Sequence, residues 1–285
     1  MGKFRLRGRR RRNREPRPDR IPLRAIVPNL VTSLAACAGI TSISLSSEGR
    51  FFEALFALLI ACICDGMDGR IARLLKASSK LGAELDSLAD FVNFGVAPAM
   101  FMYFWTTGGP THANGSINPT VIRFVLGAAL YYAMCDCFRL ARFNTMLEQE
   151  TAPYWTNYFT GVPAPGGCWL VLSPAMTAMA LGELKLLPQL VNVIRSPWFG
   201  VVMLLAVGSL MASRLPTLSL KHLHISRKAL PFVLAFILLL IALFVVNFWL
   251  WLGLLGGVYL LSIPVSGLFF LRSRSRYEKN LPNNS

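Results

Sequence analysis

Apolar residues run along this chain in blocks too long for the interior of a soluble domain. A helix crossing the hydrocarbon of a bilayer needs about twenty mostly apolar residues. The pattern predicts eight such helices, at 25–46, 51–75, 82–105, 121–143, 159–181, 197–212, 229–248 and 249–272. Almost no loop separates the last two. No internal repeat is visible, and no stretch reads as a separate soluble domain. The expectation is an all-α polytopic membrane protein with about eight transmembrane helices. A basic segment at 1–24 precedes them and a polar tail at 274–285 follows.

The breaks between blocks carry orientation. Arg and Lys gather at 1–24, 70–80, 214–228 and 272–279, and at Arg139 and Arg142, whereas 106–119 contains neither. With eight spans, every basic cluster falls on one face and the bare loop on the other. The excess of Lys and Arg in cytoplasmic loops then places both termini in the cytoplasm, with the protein in the cell inner membrane. Lys185 and Arg195, in 182–197, are the exceptions.

Composition agrees. Of 285 residues, 54% are hydrophobic and 15% charged, and the mean hydropathy is +0.50. That is too little charge for a soluble globular domain, so the apolar residues face lipid. The formal net charge of +15 owes much to the head, with its Arg9-Arg10-Arg11-Arg12 run. Beside a membrane body this run suits anionic head groups rather than nucleic acid. It is too long for the start of a secretory signal, and the apolar segment after it continues into further spans. The six cysteines, Cys37, Cys62, Cys64, Cys135, Cys137 and Cys168, all lie in apolar stretches. Helix positions two apart point to different faces, so the two Cys-x-Cys pairs read as packing residues rather than metal ligands.

One segment departs from a lipid-facing pattern. Cys64-Asp65-Gly66-Met67-Asp68-Gly69-Arg70-Ile71-Ala72-Arg73 is followed by Gly82-Ala83-Glu84-Leu85-Asp86-Ser87-Leu88-Ala89-Asp90. Asp65 and Asp68 are i,i+3 on one helix and Asp86 and Asp90 i,i+4 on the next, so each pair shares a face. The short connection makes the helices antiparallel neighbours whose faces can oppose each other. Carboxylates crowded near hydrocarbon repel unless cations sit among them. All-oxygen donors select hard ions such as Mg²⁺, Mn²⁺ or Ca²⁺. Four carboxylates suit a two-metal site that binds a pyrophosphate during displacement at phosphorus. Gly69 and Ala72 leave room for a phosphate or sugar beside the backbone. Helix capping, or pairing with Arg70, Arg73 and Lys80, would account for one aspartate better than for four on facing surfaces.

The run Asp65-x2-Asp68-Gly69-x2-Ala72-Arg73-x8-Gly82-x3-Asp86-x3-Asp90 resembles the CDP-alcohol phosphatidyltransferase signature at every fixed position. The resemblance covers about 25–220 and implies a six-helix catalytic core there. The two helices in 221–273 are then additions to that core. It further implies that Asp65, Asp68, Asp86 and Asp90 hold two divalent cations, Mg²⁺ or Mn²⁺, and that Asp90 is also the general base. Asn29, Thr32, Gly69, Ala72, Arg73, Ser79 and Gly82 correspond to positions that contact the CDP-lipid.

Outside the signature, Val27-Pro28-Asn29-Leu30-Val31-Thr32-Ser33, Asp90-Phe91-Val92-Asn93-Phe94-Gly95-Val96-Ala97-Pro98, Phe138-Arg139-Leu140-Ala141-Arg142-Phe143-Asn144 and Phe159-Thr160-Gly161-Val162-Pro163-Ala164-Pro165 resemble the phosphatidylserine synthase branch. Asn93 departs from it, since serine is common there. That branch implies CDP-diacylglycerol and L-serine as substrates and CMP as the leaving product, and the family habit is a homodimer. Chemistry gives serine separate support. A zwitterionic acceptor needs a donor for its carboxylate, and Arg is the preferred forked one. Arg139 and Arg142, with Asn144 nearby, lie near the cytoplasmic end of the fourth span, where a water-soluble amino acid arrives. The alternative role for these arginines is anchoring the helix end. Pro163 and Pro165 are expected to deform the entry to the fifth span.

Other readings are weaker. Phosphatidylserine synthesis through paired His-x-Lys motifs is excluded, because none of His112, His222 and His224 has Lys two residues later. None of the three is placed for Ser-His-Asp chemistry either. Transfer to glycerol-3-phosphate, inositol phosphate or choline is the runner-up within the family. A divalent-cation transporter is the alternative outside it, but such proteins bind ions near the midplane, often at internal repeats.

Overall fold

A computed structural model describes residues 23–77, 79–108, 117–146, 158–213, 216–218 and 230–279. Residues 1–22 of the basic head, most of 214–228, the tail from 280, and His112, His222 and His224 lie outside the described residues.

The chain is helical almost throughout: α1 (Leu23–Ser47), α2 (Phe51–Leu74), α3 (Lys80–Asp90), α4 (Ala97–Thr107), α5 (Pro119–Met146), α6 (Ala164–Glu183), α7 (Pro188–Arg195), α8 (Pro197–Ala212), α9 (Leu230–Val246) and α10 (Phe248–Lys279). A π-helical turn, Phe91–Val96, joins α3 to α4 without a break. Each of the eight apolar stretches carries a helix. Three features differ from the sequence expectation. The fifth span begins at Ala164 rather than 159, because β1 (Tyr158–Thr160) pairs antiparallel with β2 (Pro216–Leu218). Pro163 and Pro165 therefore open a helix rather than deform one, since Pro suits the first turn, where N–H groups have no intrahelical acceptor. The loop at 182–197 contains α7, which meets α8 at 65°. Ser196 ends one helix and caps the other, its Oγ accepting from Phe199 N at 3.3 Å.

Helix ends follow local chemistry. Gly49, at φ 78°, closes α1. Gly49 N donates to Ser46 O (3.1 Å) and Arg50 N to Leu45 O (2.9 Å), the paired bonds of a Schellman motif. Lys76 and Lys185 adopt the same left-handed conformation after α2 and α6 and close them with the same bond pattern.

α6 lies at the centre, with 72% of its apolar window buried against 28% for α1 and 33% for α5. Leu170, Val171 and Ala175 join Phe94, Phe101, Met102, Tyr132, Leu204 and Met211 in one core. Leu34, Ile40, Phe56, Ile60, Leu130, Val202, Leu238 and Leu239 instead point outward. A protein that turns large aliphatic side chains out along successive helices is solvated by lipid. Among the described residues three helices, within α1, α5 and α6, are individually long and apolar enough to cross a bilayer, and α7–α8 makes a fourth if the bent pair is one span. The protein is an integral membrane protein. At the end of the helices away from the aspartates, Arg195 lies over the Trp105 ring, 4.7 Å from its centroid.

Candidate active site

The two acidic pairs sit on different helices that α1 holds apart. α1 packs against both α2 and α3, which make few direct backbone contacts with each other. The motif helices are thus separated by a cleft rather than packed as close neighbours. Across it Asp86 comes up to Asp65 and Asp68, and Asp90 lies within electrostatic reach of Asp65. One carboxylate oxygen from each of Asp65, Asp68 and Asp86 lies within 4.8 Å of the others. Such an all-carboxylate set fits a hard divalent cation. Among the described residues the ion pairs join Arg50 to Glu48 and Glu53, so none of the four aspartates is paired with Arg70, Arg73 or Lys80. Nor does any of them cap α2 or α3, whose N-caps are Arg50 and Ser79.

Neighbouring groups fix this arrangement. Thr32 of α1 donates its hydroxyl to Asp68 Oδ2 at 2.6 Å, and Asp68 is only 4% exposed. Ser79 caps α3, accepting from Gly82 N at 3.0 Å. A Cβ on Gly82 would come within 3.0 Å of Asn29 Oδ1 and 3.2 Å of Ser79 Oγ, so glycine allows α1 and α3 to meet at the cleft floor. On Gly66 and Gly69 a Cβ would meet nothing within 4 Å, because these glycines border open space rather than packed atoms.

Gly69 lines a cavity of about 300 Å³ between α1, α2 and α3. All seven positions expected to contact a CDP-lipid line it: Asn29, Thr32, Gly69, Ala72, Arg73, Ser79 and Gly82. Asp68 and Asp86 border it too, so the cavity opens onto the acidic cluster.

Residues 25–261 match the CDP-alcohol phosphatidyltransferase family, over most of the chain and across the whole cleft. The chain belongs to that family. A CDP-diacylglycerol–serine O-phosphatidyltransferase of Mycobacterium leprae (strain TN) is 36% identical over 210 residues, 73% of this chain and 62% of its own length. Proteins of the same name from Bacillus subtilis (strain 168) and Saccharomyces cerevisiae are 32% identical over 178 residues and 38% over 150. The Bacillus alignment covers 61% of this chain and 90% of the relative; the yeast one covers 50% and 48%. The chain spans between 51% and 62% of the mycobacterial relatives' length.

In this member of the family, the arginines expected at the acceptor end have different surroundings. Arg142 donates to Ala212 O (3.0 Å) and Ser213 O (3.1 Å), and so ties α5 to the C-terminus of α8. Arg139 differs: its Nε is buried without a partner among the described residues, and it lies within electrostatic reach of Asp90, Asp136 and Tyr259. Asn144 donates to Ser87 Oγ at 3.0 Å, which pins the end of α5 to α3 between Asp86 and Asp90.

Asp136, which the motifs did not single out, is fully buried on α5, and neither carboxylate oxygen has a hydrogen-bond partner among the described residues. Its Oδ2 would lie 2.8 Å from a Cβ on Gly95, in the π turn just beyond Asp90. The available signal was a carboxylate inside an apolar span, which is by default functional.

Proposed function

We propose that this protein transfers a phosphatidyl group from CDP-diacylglycerol to L-serine, giving phosphatidylserine and CMP. One observation carries the reading: two aspartate pairs face each other across a cleft whose adjoining cavity is lined by all seven residues expected on a CDP-lipid. Serine is the acceptor in the names that the relatives carry.

Asp65, Asp68, Asp86 and Asp90 would hold two divalent cations, Mg²⁺ or Mn²⁺. Cations held there would supply positive charge to offset the pyrophosphate and the leaving CMP. The chain's own groups do the rest. Thr32 fixes the orientation of Asp68. Arg73 faces the cavity with a cationic donor for the CDP-lipid. Asp90 takes the proton of the serine hydroxyl. The serine oxygen bonds to the phosphorus that carries diacylglycerol as the bond from that phosphorus to the CMP oxygen breaks. Arg139, whose Nε is buried and unpartnered, receives the serine carboxylate. Arg142 holds α8 and keeps this end of α5 in place.

Eight spans with both termini in the cytoplasm put the aspartate cleft on the cytoplasmic side of the inner membrane, where CMP and serine exchange with water. The catalytic unit is 25–220, followed by the two added helices of 221–273, and the active species is a homodimer. The basic head at 1–24 rests on anionic lipid; of the polar tail expected at 274–285, residues up to Lys279 continue α10.

The test is the purified protein with CDP-diacylglycerol and, in turn, labelled serine, glycerol-3-phosphate, inositol phosphate and choline, following CMP release and the lipid product. Serine alone is expected to be incorporated. Label from another acceptor, with none from serine, would reassign the substrate, and no CMP release with any would refute the transferase.

A further inference from the structure

α10 lies outside the expected catalytic unit, yet its side chains reach into that unit. Two glycines set its position. A Cβ on Gly253 or on Gly256 would overlap α6 at Thr177 and Ser173 respectively, so the helices are in near backbone contact there. Trp169 on α6 adds a third tie, donating its Nε1 to Leu252 O at 3.0 Å. Close contact of this kind fixes register, because neither helix can slide without opening the glycine contacts or losing the indole bond.

The register delivers one polar side chain to a particular place. Tyr259 follows Gly256 by one turn of α10 and shares its face. Its hydroxyl would lie 2.9 Å from a Cβ on Gly166, so it rests against the first turn of α6 where only a glycine fits. The ring is half-buried, and the hydroxyl has no hydrogen-bond partner among the described residues. Arg139 lies within electrostatic reach of both Tyr259 and Asp90. The hydroxyl is thus within electrostatic range of the cation proposed for the serine carboxylate.

We infer that Tyr259 is a specificity-determining residue, brought by α10 to the acceptor end of the site, where its hydroxyl donates to the carboxylate of the incoming amino acid alongside Arg139. This rests on serine being the acceptor. It makes α10 a working part of the active site rather than a membrane anchor. A hydroxyl and a guanidinium together hold both carboxylate oxygens and select against amino alcohols that lack one.

Tyr259→Phe keeps the ring and deletes only the hydroxyl. Expected is a serine KM about three- to tenfold higher, the loss of one hydrogen bond. The KM for CDP-diacylglycerol and the melting temperature should be unchanged, and the preference for serine over ethanolamine should fall by the same factor. An unchanged serine KM overturns the inference, as does a rise shared by both substrates or accompanied by a lower melting temperature. Arg139→Lys measured alongside separates the two readings. A serine KM that responds to Arg139→Lys and not to Tyr259→Phe removes Tyr259 alone. Failure of the wild type to incorporate serine removes both.

Discussion

Among single side chains, Asp90 has the most demanding position. It ends α3, lies within electrostatic reach of Asp65 and buries its Oδ1 without a partner among the described residues. Asp90→Asn keeps the shape and removes the proton acceptor. Turnover is expected to fall by about 10²–10⁴ while CDP-lipid binding persists, because the cavity residues lie on α1, α2 and the start of α3. Single-turnover kinetics beside equilibrium lipid binding measure both, and near-wild-type turnover in folded protein would remove the base. The two arginines should separate. Arg139→Lys loses a forked donor and should raise the serine KM by about tenfold to a hundredfold, with little effect on the lipid KM. Arg142→Lys instead breaks two bonds to the end of α8, so a lower melting temperature should appear with the two KM values unchanged or moving together. The grouping of the aspartates was legible in the sequence because i,i+3 and i,i+4 spacings translate directly into helix faces. The different surroundings of Arg139 and Arg142 were not, since they depend on where α8 ends, 70 residues away.

At the scale of helices, hydropathy located nearly every element because length and apolar content are what a bilayer selects. It missed the π turn at Phe91–Val96, which changes hydrogen-bond register without changing composition, and it missed the α7–α8 bend, where Ser196 serves two helices. The short connection made α2 and α3 antiparallel neighbours with opposed aspartate faces, and the aspartates do meet, but the helix backbones stay apart because each packs on α1. The seating of α10 was beyond reach from sequence. Gly253 and Gly256 read as ordinary residues of an apolar helix until Ser173 and Thr177 are seen against them. Gly256→Ala should push α10 off α6, at a cost of about 1–3 kcal/mol for the overpacked side chain. Thermal unfolding in detergent would report it. The same change at Gly257, where a Cβ meets nothing within 4 Å, should be silent.

For the molecule as a whole, the acidic cleft and the lipid-facing surface place opposite demands on one chain. Lipid disfavours charge, and four carboxylates in a cleft require it to be balanced. Removing divalent cations with chelator should therefore stop CMP release, and adding Mg²⁺ or Mn²⁺ back should restore it. Full activity at negligible metal content would reject the cation site. The π turn adds a constraint of another kind, on helical phase. It holds one residue more than an α-helical path would, immediately after Asp90. Deleting one residue there would let a regular helix run on with α4 in nearly the same phase relative to the aspartates, whereas a deletion elsewhere between Lys80 and Thr107 would swing α4 by about 100° around the axis. Asn93, Phe94 and Gly95 are buried in the wide turn itself. The span from Lys80 to Thr107 can therefore shed a residue at that one turn, and otherwise change its side chains but not its length.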